Sequence, residues 1–236
     1  MNLKHIALAA LLVCAVALPS SAADELNQLT SKEKKNGWKL LFDGKSLTGW
    51  HSYAKTDGPK QGWVVEDGIL KCVAKGHGGD IVTVDKFKDF DLQWDWMLPA
   101  KANNGVKYLV SETRISAPGH EYQMVDDTID AAMPAKRSTA SFYEVLPPDA
   151  KKPLKTPGEW NHSRILVQGN HVEHWLNGKK VLAYELGSLE VKAAIAESKF
   201  KDKPGFGDKI TGPIMLTEHQ DEASYRNIKI RELTAK

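Results

Sequence analysis

The sequence is poor in the features that mark several protein classes. Its 236 residues contain only two cysteines, so the protein is not a disulfide-stabilised scaffold. Lys and Arg number 32 against 30 Asp and Glu, and a net charge of +2 is too balanced for the basic surface that nucleic-acid binding requires. No apolar run reaches the roughly 18 residues of a membrane-spanning helix. These absences predict a globular protein without a nucleic-acid partner or a membrane span.

The N-terminus carries the pattern of a secretory signal peptide. Lys4 and His5 precede an apolar run from Ile6 to Leu18, which at 13 residues is too short to cross a bilayer. Small residues then allow cleavage after Ala22 or Ala23. We therefore expect a periplasmic or secreted protein, divided into a signal peptide over 1–22, a flexible segment over 23–36 and a single domain over 37–234.

Period-two alternation of apolar and polar residues recurs along this domain and predicts strands. In Leu92–Leu98 one face carries Leu92, Trp94, Trp96 and Leu98, and the other carries Gln93 and Asp95. The stretch Arg164–Tyr184 predicts a three-stranded meander, because its Asn177-Gly178 pair has the chemistry of a type I′ hairpin turn. With turn residues every ten or so positions, the pattern predicts an all-β sandwich, with one short helix over Glu190–Ser198 in a loop.

The familiar nucleophile and phosphate-binding motifs are absent: the chain has no Gly-x-Ser-x-Gly, P-loop or Gly-x-Gly-x-x-Gly. The most informative polar pattern lies in the strand from His120 onward, which places Glu121 and Gln123 on one face and leads to Asp126. The spacing is similar to the Glu-x-Asp-x-x-Glu of laminarinase-type jelly-roll glycosidases, whose carboxylates flank the sugar bond. Because Gln123 is uncharged and Asp126 is one methylene shorter than Glu, this similarity in spacing does not establish hydrolysis by double displacement.

Three other interpretations stay open for these polar residues. The strand is equally explained as a polar outer face that ends in an Asp-rich turn. Asp126, Asp127 and Asp130 form a candidate Ca²⁺ site. His219 shares a predicted strand face with Thr217 and supplies an imidazole that can take a proton near neutral pH, or is a solvated surface histidine.

The order of short motifs along the domain resembles the 3-keto-disaccharide hydrolase family, also described as 3-keto-glucoside 1,2-lyases and 3-keto-2-hydroxyglucal hydratases. The motifs are Gly37–Trp50, Trp63–Gly68, Asn103–Val106, Glu121–Asp127, Gly158–Asn161, His174–Gly178 and Arg226–Ile230. The chain departs from the family at Leu109, where an Arg is common and Lys107 is the nearest cation. It also departs beside His219, whose neighbours Glu218 and Gln220 replace Asp and Gly.

The resemblance implies a concanavalin-like jelly roll that cleaves 3-keto-glucosides by β-elimination. Such chemistry needs a base near C2, a donor or metal at the C3 oxygen and an acid at the leaving group. The roles implied for this chain are His219 or Glu121 as base, Asp126 as acid or metal ligand, Gln123 and Lys107 as donors, Tyr143 and Glu144 at the rim, and Trp50 as a stacking platform or a core residue. The metal is unspecified, Ca²⁺ being one candidate. The competing interpretation is a non-catalytic, lectin-like sugar-binding module of the same fold.

Overall fold

The computed structural model describes residues 26–114 and 118–234. The signal peptide expected over 1–22 therefore lies outside the described residues. Within the described ranges, no helix has both the length and the apolar character needed to cross a membrane.

The described residues form thirteen strands, two α-helices and a 3₁₀ helix. The strands are β1 (Trp38–Leu40), β2 (Trp50–Ser52), β3 (Trp63–Glu66), β4 (Ile69–Cys72), β5 (Ile81–Thr83), β6 (Phe90–Met97), β7 (Asn103–Tyr108), β8 (His120–Val125), β9 (Asn161–Gln168), β10 (His171–Leu176), β11 (Lys179–Glu185), β12 (Met215–Leu216) and β13 (Ala223–Glu232). The helices are α1 (Ser31–Lys35) and α2 (Leu189–Ala196), with the 3₁₀ helix at Ala135–Arg137.

These strands form two antiparallel sheets. The larger sheet has the order β11-β10-β9-β6-β13-β4-β3, with β1 also paired to β13, and the smaller sheet has the order β2-β5-β12-β7-β8. The two sheets enclose one large apolar core, so the predicted all-β sandwich is confirmed.

The core follows the alternation read from the sequence. Along β6, Leu92, Trp94 and Trp96 are at most 2% exposed, whereas Gln93 and Asp95 are half-buried on the opposite face. The inward residues of the smaller sheet are likewise large and apolar. They include Val106 and Tyr108 on β7 and Tyr122 and Met124 on β8. Burying side chains of this size from water is the main force that holds the two sheets together.

The predicted meander is also present, as β9, β10 and β11. Its second turn has Asn177 at φ 46° and Gly178 at φ 83°, and two positive φ angles in succession are what a type I′ turn requires. Asp67 and Gly68 repeat this arrangement between β3 and β4, with φ values of 50° and 75°.

The helices differ in part from expectation. The predicted helix is α2, and it begins after Ser188, whose hydroxyl accepts a hydrogen bond from the Val191 amide. The segment over 23–36 that the sequence predicts as flexible contains a second helix, α1. A reciprocal capping box between Thr30 and Glu33 holds its first turn. That signal is visible in the sequence, but α1 is only five residues long and has no apolar periodicity.

Candidate active site

The outer face of the smaller sheet carries a group of polar side chains on two neighbouring strands. In the antiparallel pair β7 and β8, Lys107 lies opposite Glu121 and Gly105 lies opposite Gln123. Because side chains alternate along a strand, these residues point away from the sandwich core that Tyr122 fills from the same strand. The predicted shared face of Glu121 and Gln123 is thus the face turned away from the larger sheet.

A pocket of about 330 Å³ lies over this face, a size typical of small-molecule sites. Five segments build it: β7, β8, the loop that follows β8, the segment that follows α2, and the loop that follows β12. The lining residues are Asn103, Lys107, Gly119, Glu121, Gln123, Tyr143, Lys199, Phe200, Lys203 and His219. Five of the eight residues singled out from the sequence therefore converge here: Lys107, Glu121, Gln123, Tyr143 and His219.

Glu121 lies between two basic side chains. Its Oε2 is 3.7 Å from Lys107 Nζ and its Oε1 is 3.9 Å from His219 Nε2. Burial by itself would raise the pKa of Glu121, but the ammonium of Lys107 and the neighbouring imidazole of His219 outweigh it and hold that pKa below its ordinary value. The carboxylate is therefore ionised at neutral pH although Glu121 is only 7% exposed.

The absence of a side chain at Gly105 makes room for this carboxylate. A Cβ placed on Gly105 would lie 2.4 Å from Glu121 Oε1 and 3.1 Å from its Cγ and Cδ. The requirement is for space rather than for backbone freedom, because Gly105 does not have a positive φ. The last residue of the Asn103-Asn104-Gly105 motif therefore serves the site by leaving space for the carboxylate.

His219 reaches the pocket from a loop and not from a strand. β12 ends at Leu216, so the predicted strand face shared by Thr217 and His219 is wrong. The loop is held by Asp80, whose Oδ1 accepts a hydrogen bond of 2.8 Å from the Glu218 amide. Burial raises the pKa of Asp80, and the nearby charge of Lys107 opposes that rise.

Sequence reasoning missed Asp80, which immediately precedes β5. Nothing in its local sequence marks it. Only the sheet order β5-β12-β7 brings it close to His219 and Lys107.

Gln123 and Asn103 form a polar pair on the sheet surface. Gln123 Nε2 donates a hydrogen bond of 3.1 Å to Asn103 Oδ1, and the Asn103 amide donates to Asp221 Oδ2 at 2.9 Å. Asn103 was part of a quoted motif but was not predicted as a site residue. The pair fixes the side-chain amide of Gln123 in the pocket, where it can hydrogen-bond to the polar groups of a ligand.

Tyr143 forms part of the rim together with a residue that the sequence did not indicate. Lys199 Nζ lies 4.2 Å from the centre of the Tyr143 ring and donates a hydrogen bond of 3.1 Å to its hydroxyl. Glu144, predicted beside Tyr143 at the rim, is instead 3% exposed and does not line the pocket. Its carboxylate accepts from Arg137 Nε at 2.7 Å, so Glu144 anchors this loop.

Asp126, predicted as acid or metal ligand, is not brought into the pocket. Its Oδ2 accepts from the Lys101 amide at 2.8 Å, and its Oδ1 accepts from the amide and hydroxyl of Thr128. The carboxylate therefore closes the turn after β8.

The candidate Ca²⁺ site formed by Asp126, Asp127 and Asp130 is not assembled. Asp127 pairs with Lys152 at 2.8 Å, and Asp130 accepts from the Ala132 amide. In residues 26–114 and 118–234, no three His, Cys, Asp or Glu side chains are placed to hold a metal ion together. The donor set in the pocket does not fit one either, because the ammonium of Lys107 faces its carboxylate.

Trp50, the proposed stacking platform, is a core residue. It is 4% exposed, and its indole Nε1 donates a hydrogen bond of 2.6 Å to the Leu41 carbonyl. The aromatic side chains that line the pocket are Tyr143 and Phe200.

Comparison with known proteins agrees with this architecture. A family model described as the 3-keto-alpha-glucoside-1,2-lyase-like domain matches residues 37–231. A 3-keto-disaccharide hydrolase from Bacteroides thetaiotaomicron is 32% identical over 251 residues, covering 91% of this chain and 84% of that protein. The crystal structure of a candidate glycosyl hydrolase from Parabacteroides distasonis superposes with a TM-score of 0.80 at 33% identity, covering 89% of this chain and 100% of the other. A second such structure from that organism has a TM-score of 0.63 at 27% identity, with 84% and 100% covered.

Proposed function

The chain belongs to the 3-keto-alpha-glucoside-1,2-lyase-like domain family, and we propose on this basis that it cleaves 3-keto-glucosides by elimination across C1 and C2. The observation that carries the proposal is the arrangement of Lys107, Glu121 and His219 in one pocket. It places a base, a cation and an ionised carboxylate in one pocket, where all three can contact the same part of a bound substrate. A carboxylate pair of the kind that classical glycosidases use is not found among the described lining residues.

The chemistry depends on the ketone. A carbonyl at C3 acidifies the C2 proton, so a base can remove it and place the electron pair on the C3 oxygen as an enolate. When the enolate collapses, the C1–oxygen bond breaks and the leaving group departs with a proton, giving a sugar with a C1–C2 double bond. Addition of water across that bond gives the free 3-keto-sugar, so the two steps together amount to hydrolysis.

We assign the base to His219 rather than to Glu121. The pKa of Glu121 is held below its ordinary value, after burial is outweighed by Lys107, which makes this carboxylate a weak acceptor of a carbon-bound proton. An imidazole is better matched to proton transfer near neutral pH. Glu121 then orients His219 across their 3.9 Å contact and stabilises the imidazolium that forms.

Lys107 is suited to stabilise the developing enolate. Its side chain is only 15% exposed and its ammonium lies 3.7 Å from Glu121 Oε2, so it is held in place before the substrate binds. A fixed positive charge in a partly dry site favours a transition state in which negative charge appears on oxygen. Gln123 is left to bind the hydroxyl groups of the ring.

The acid for the leaving group is Tyr143 in this proposal, in place of Asp126. Lys199 donates its hydrogen bond to the Tyr143 oxygen, so the hydroxyl hydrogen of Tyr143 is directed elsewhere. A hydroxyl held in this way at the rim can donate to the departing glycosidic oxygen.

The test compares synthetic 3-keto-glucosides with their unoxidised parents, with and without a chelator. We expect release of the leaving group from the ketone alone, and incorporation of solvent deuterium at C2 of recovered substrate if proton removal is reversible. Equal activity on both sugars would refute elimination, and sugar binding without turnover of either would favour the lectin-like alternative. Loss of activity with chelator would contradict the assignment of Lys107, in place of a metal ion, as the group that stabilises the enolate.

We also propose that the protein is exported, from the apolar run and small residues that end at Ala23. The mature chain is then expected to begin at Ala23 or Asp24. Intact-mass measurement of the protein expressed with its full N-terminus checks this, and an uncleaved chain or a lipid on Cys14 would contradict it.

A further inference from the structure

One wall of the pocket carries two lysines, and the proposed elimination uses neither as a charge for the substrate, because Lys199 enters it only through its hydrogen bond to Tyr143. Lys199 and Lys203 line the pocket from the segment that follows α2. Among the described lining residues Glu121 is the only carboxylate, and its two oxygens face Lys107 and His219. Neither lysine of the wall therefore forms a direct ion pair with a carboxylate that lines the pocket.

The nearest carboxylate outside the pocket does not neutralise this wall either. Glu144 Oε1 lies 3.9 Å from Lys199 Nζ, but the same oxygen is 2.7 Å from Arg137 Nη2. Its other oxygen is 3.8 Å from Lys136. Three cations thus share one buried carboxylate, and Lys203 forms no ion pair with any residue that the structure describes.

The acidic groups near the pocket are grouped elsewhere. Asp80 lies behind His219, where it accepts from the Glu218 amide, and Asp221 accepts from the amide of Asn103. Negative charge therefore accompanies the His219 side, and positive charge the side of Lys199 and Lys203. Such a separation of charge in a cleft orients a charged ligand.

We propose that Lys199 and Lys203 form a subsite for an anionic substituent, such as a carboxylate, on the leaving group of the 3-keto-glucoside. The orientation rests on the proposed function, which places C1 and C2 at His219 and lets the leaving group extend along the remaining wall. Phe200 supplies an apolar surface between the two lysines in the sequence, so the carbon frame of the leaving group can pack there. Lys203 is half-buried and Lys199 is exposed, and ion pairs at such positions contribute more to the discrimination between charged and neutral ligands than to affinity itself.

The test uses two substrates of closely similar shape, one with an anionic and one with a neutral substituent, the 4-carboxyphenyl and 4-carbamoylphenyl 3-keto-glucosides. Lys203→Gln is expected to raise KM for the carboxylate about three- to tenfold and to leave the carboxamide within about twofold. Comparing each variant with wild type on the same substrate cancels the difference in leaving-group ability. Lys201→Gln is the matched control, because Lys201 is exposed on the same segment and does not line the pocket, and it should leave both substrates unchanged.

An equal effect of Lys203→Gln on both substrates would overturn the subsite while leaving the proposed function intact. If the wild-type protein turns over neither substrate, the proposed function fails, and the subsite is then tested by calorimetric binding of the two unoxidised phenyl glucosides. Tighter binding of the carboxylate that is lost in Lys203→Gln would support it, and no preference between the two would overturn it. Added salt should weaken the binding of the carboxylate-bearing glucoside and leave the binding of the carboxamide unchanged.

Discussion

Replacing Gly105 with alanine should inactivate the enzyme without unfolding it. The new Cβ would lie 2.4 Å from Glu121 Oε1, so the carboxylate oxygen must move by about 1 Å to reach an ordinary contact distance. Glu121 has little room for this, because it is 7% exposed and is flanked by Lys107 and His219. A displacement of that size in a catalytic group costs on the order of 10²-fold in rate.

The fold, in contrast, should tolerate the change. Gly105 has no positive φ, so alanine adopts its backbone without strain, and alanine in a strand is favoured over glycine by roughly 0.5–1 kcal/mol. We therefore expect a thermal midpoint within a few degrees of wild type alongside a strongly reduced kcat. Gly58→Ala is the matched control, since Gly58 also lacks a positive φ and its Cβ would meet nothing closer than 3.9 Å.

Kinetics of 3-keto-glucoside cleavage, measured together with thermal unfolding, check this reasoning. If Gly105 acts only through Glu121, then the Gly105→Ala change should have almost no further effect in a Glu121→Ala background. Full activity of folded Gly105→Ala would refute the argument, and so would additive losses in the double variant.

Three further predictions concern the rest of the site and the core. His219→Ala and Glu121→Ala should each lower kcat by about 10²-fold or more, measured on the same substrate, and retention of the rate by either would exclude it from catalysis. Asp80→Ala should lower kcat by releasing the Glu218 amide, whereas Asp80→Asn keeps an acceptor oxygen and should retain more activity; equal losses would contradict this positioning role. Burial lowers the pKa of His174 to about 4 and that of His120 to about 3, so the folded state binds fewer protons than the unfolded state. Stability present above pH 6.5 should therefore fall as the pH drops toward 4, by about 1.4 kcal/mol per unit for each of these two histidines. Urea unfolding at pH 7 and pH 5 measures this above the range where most carboxylates titrate, and equal midpoints would contradict it.

The sequence alone determined the features that depend on neighbouring residues. Alternation along β6 follows from the strand geometry, which sends successive side chains to opposite faces. The Asn177-Gly178 turn follows from the positive φ angles that these two residues tolerate. Alternation alone also places Glu121 and Gln123 on one face of their strand, and in the structure both line the pocket.

Tertiary structure alone decided what meets that face. Glu121 and Gln123 are buried on the face turned away from the core, because loops that follow β8 and α2 cover the sheet there and bring Tyr143 and Lys199 to it. Asp126 lies only five residues from Glu121, yet its carboxylate is outside the pocket and accepts hydrogen bonds from the backbone amides of Lys101 and Thr128. Alternation fixes two faces for every strand, but it carries no information about which strands become neighbours or which loops fold over them.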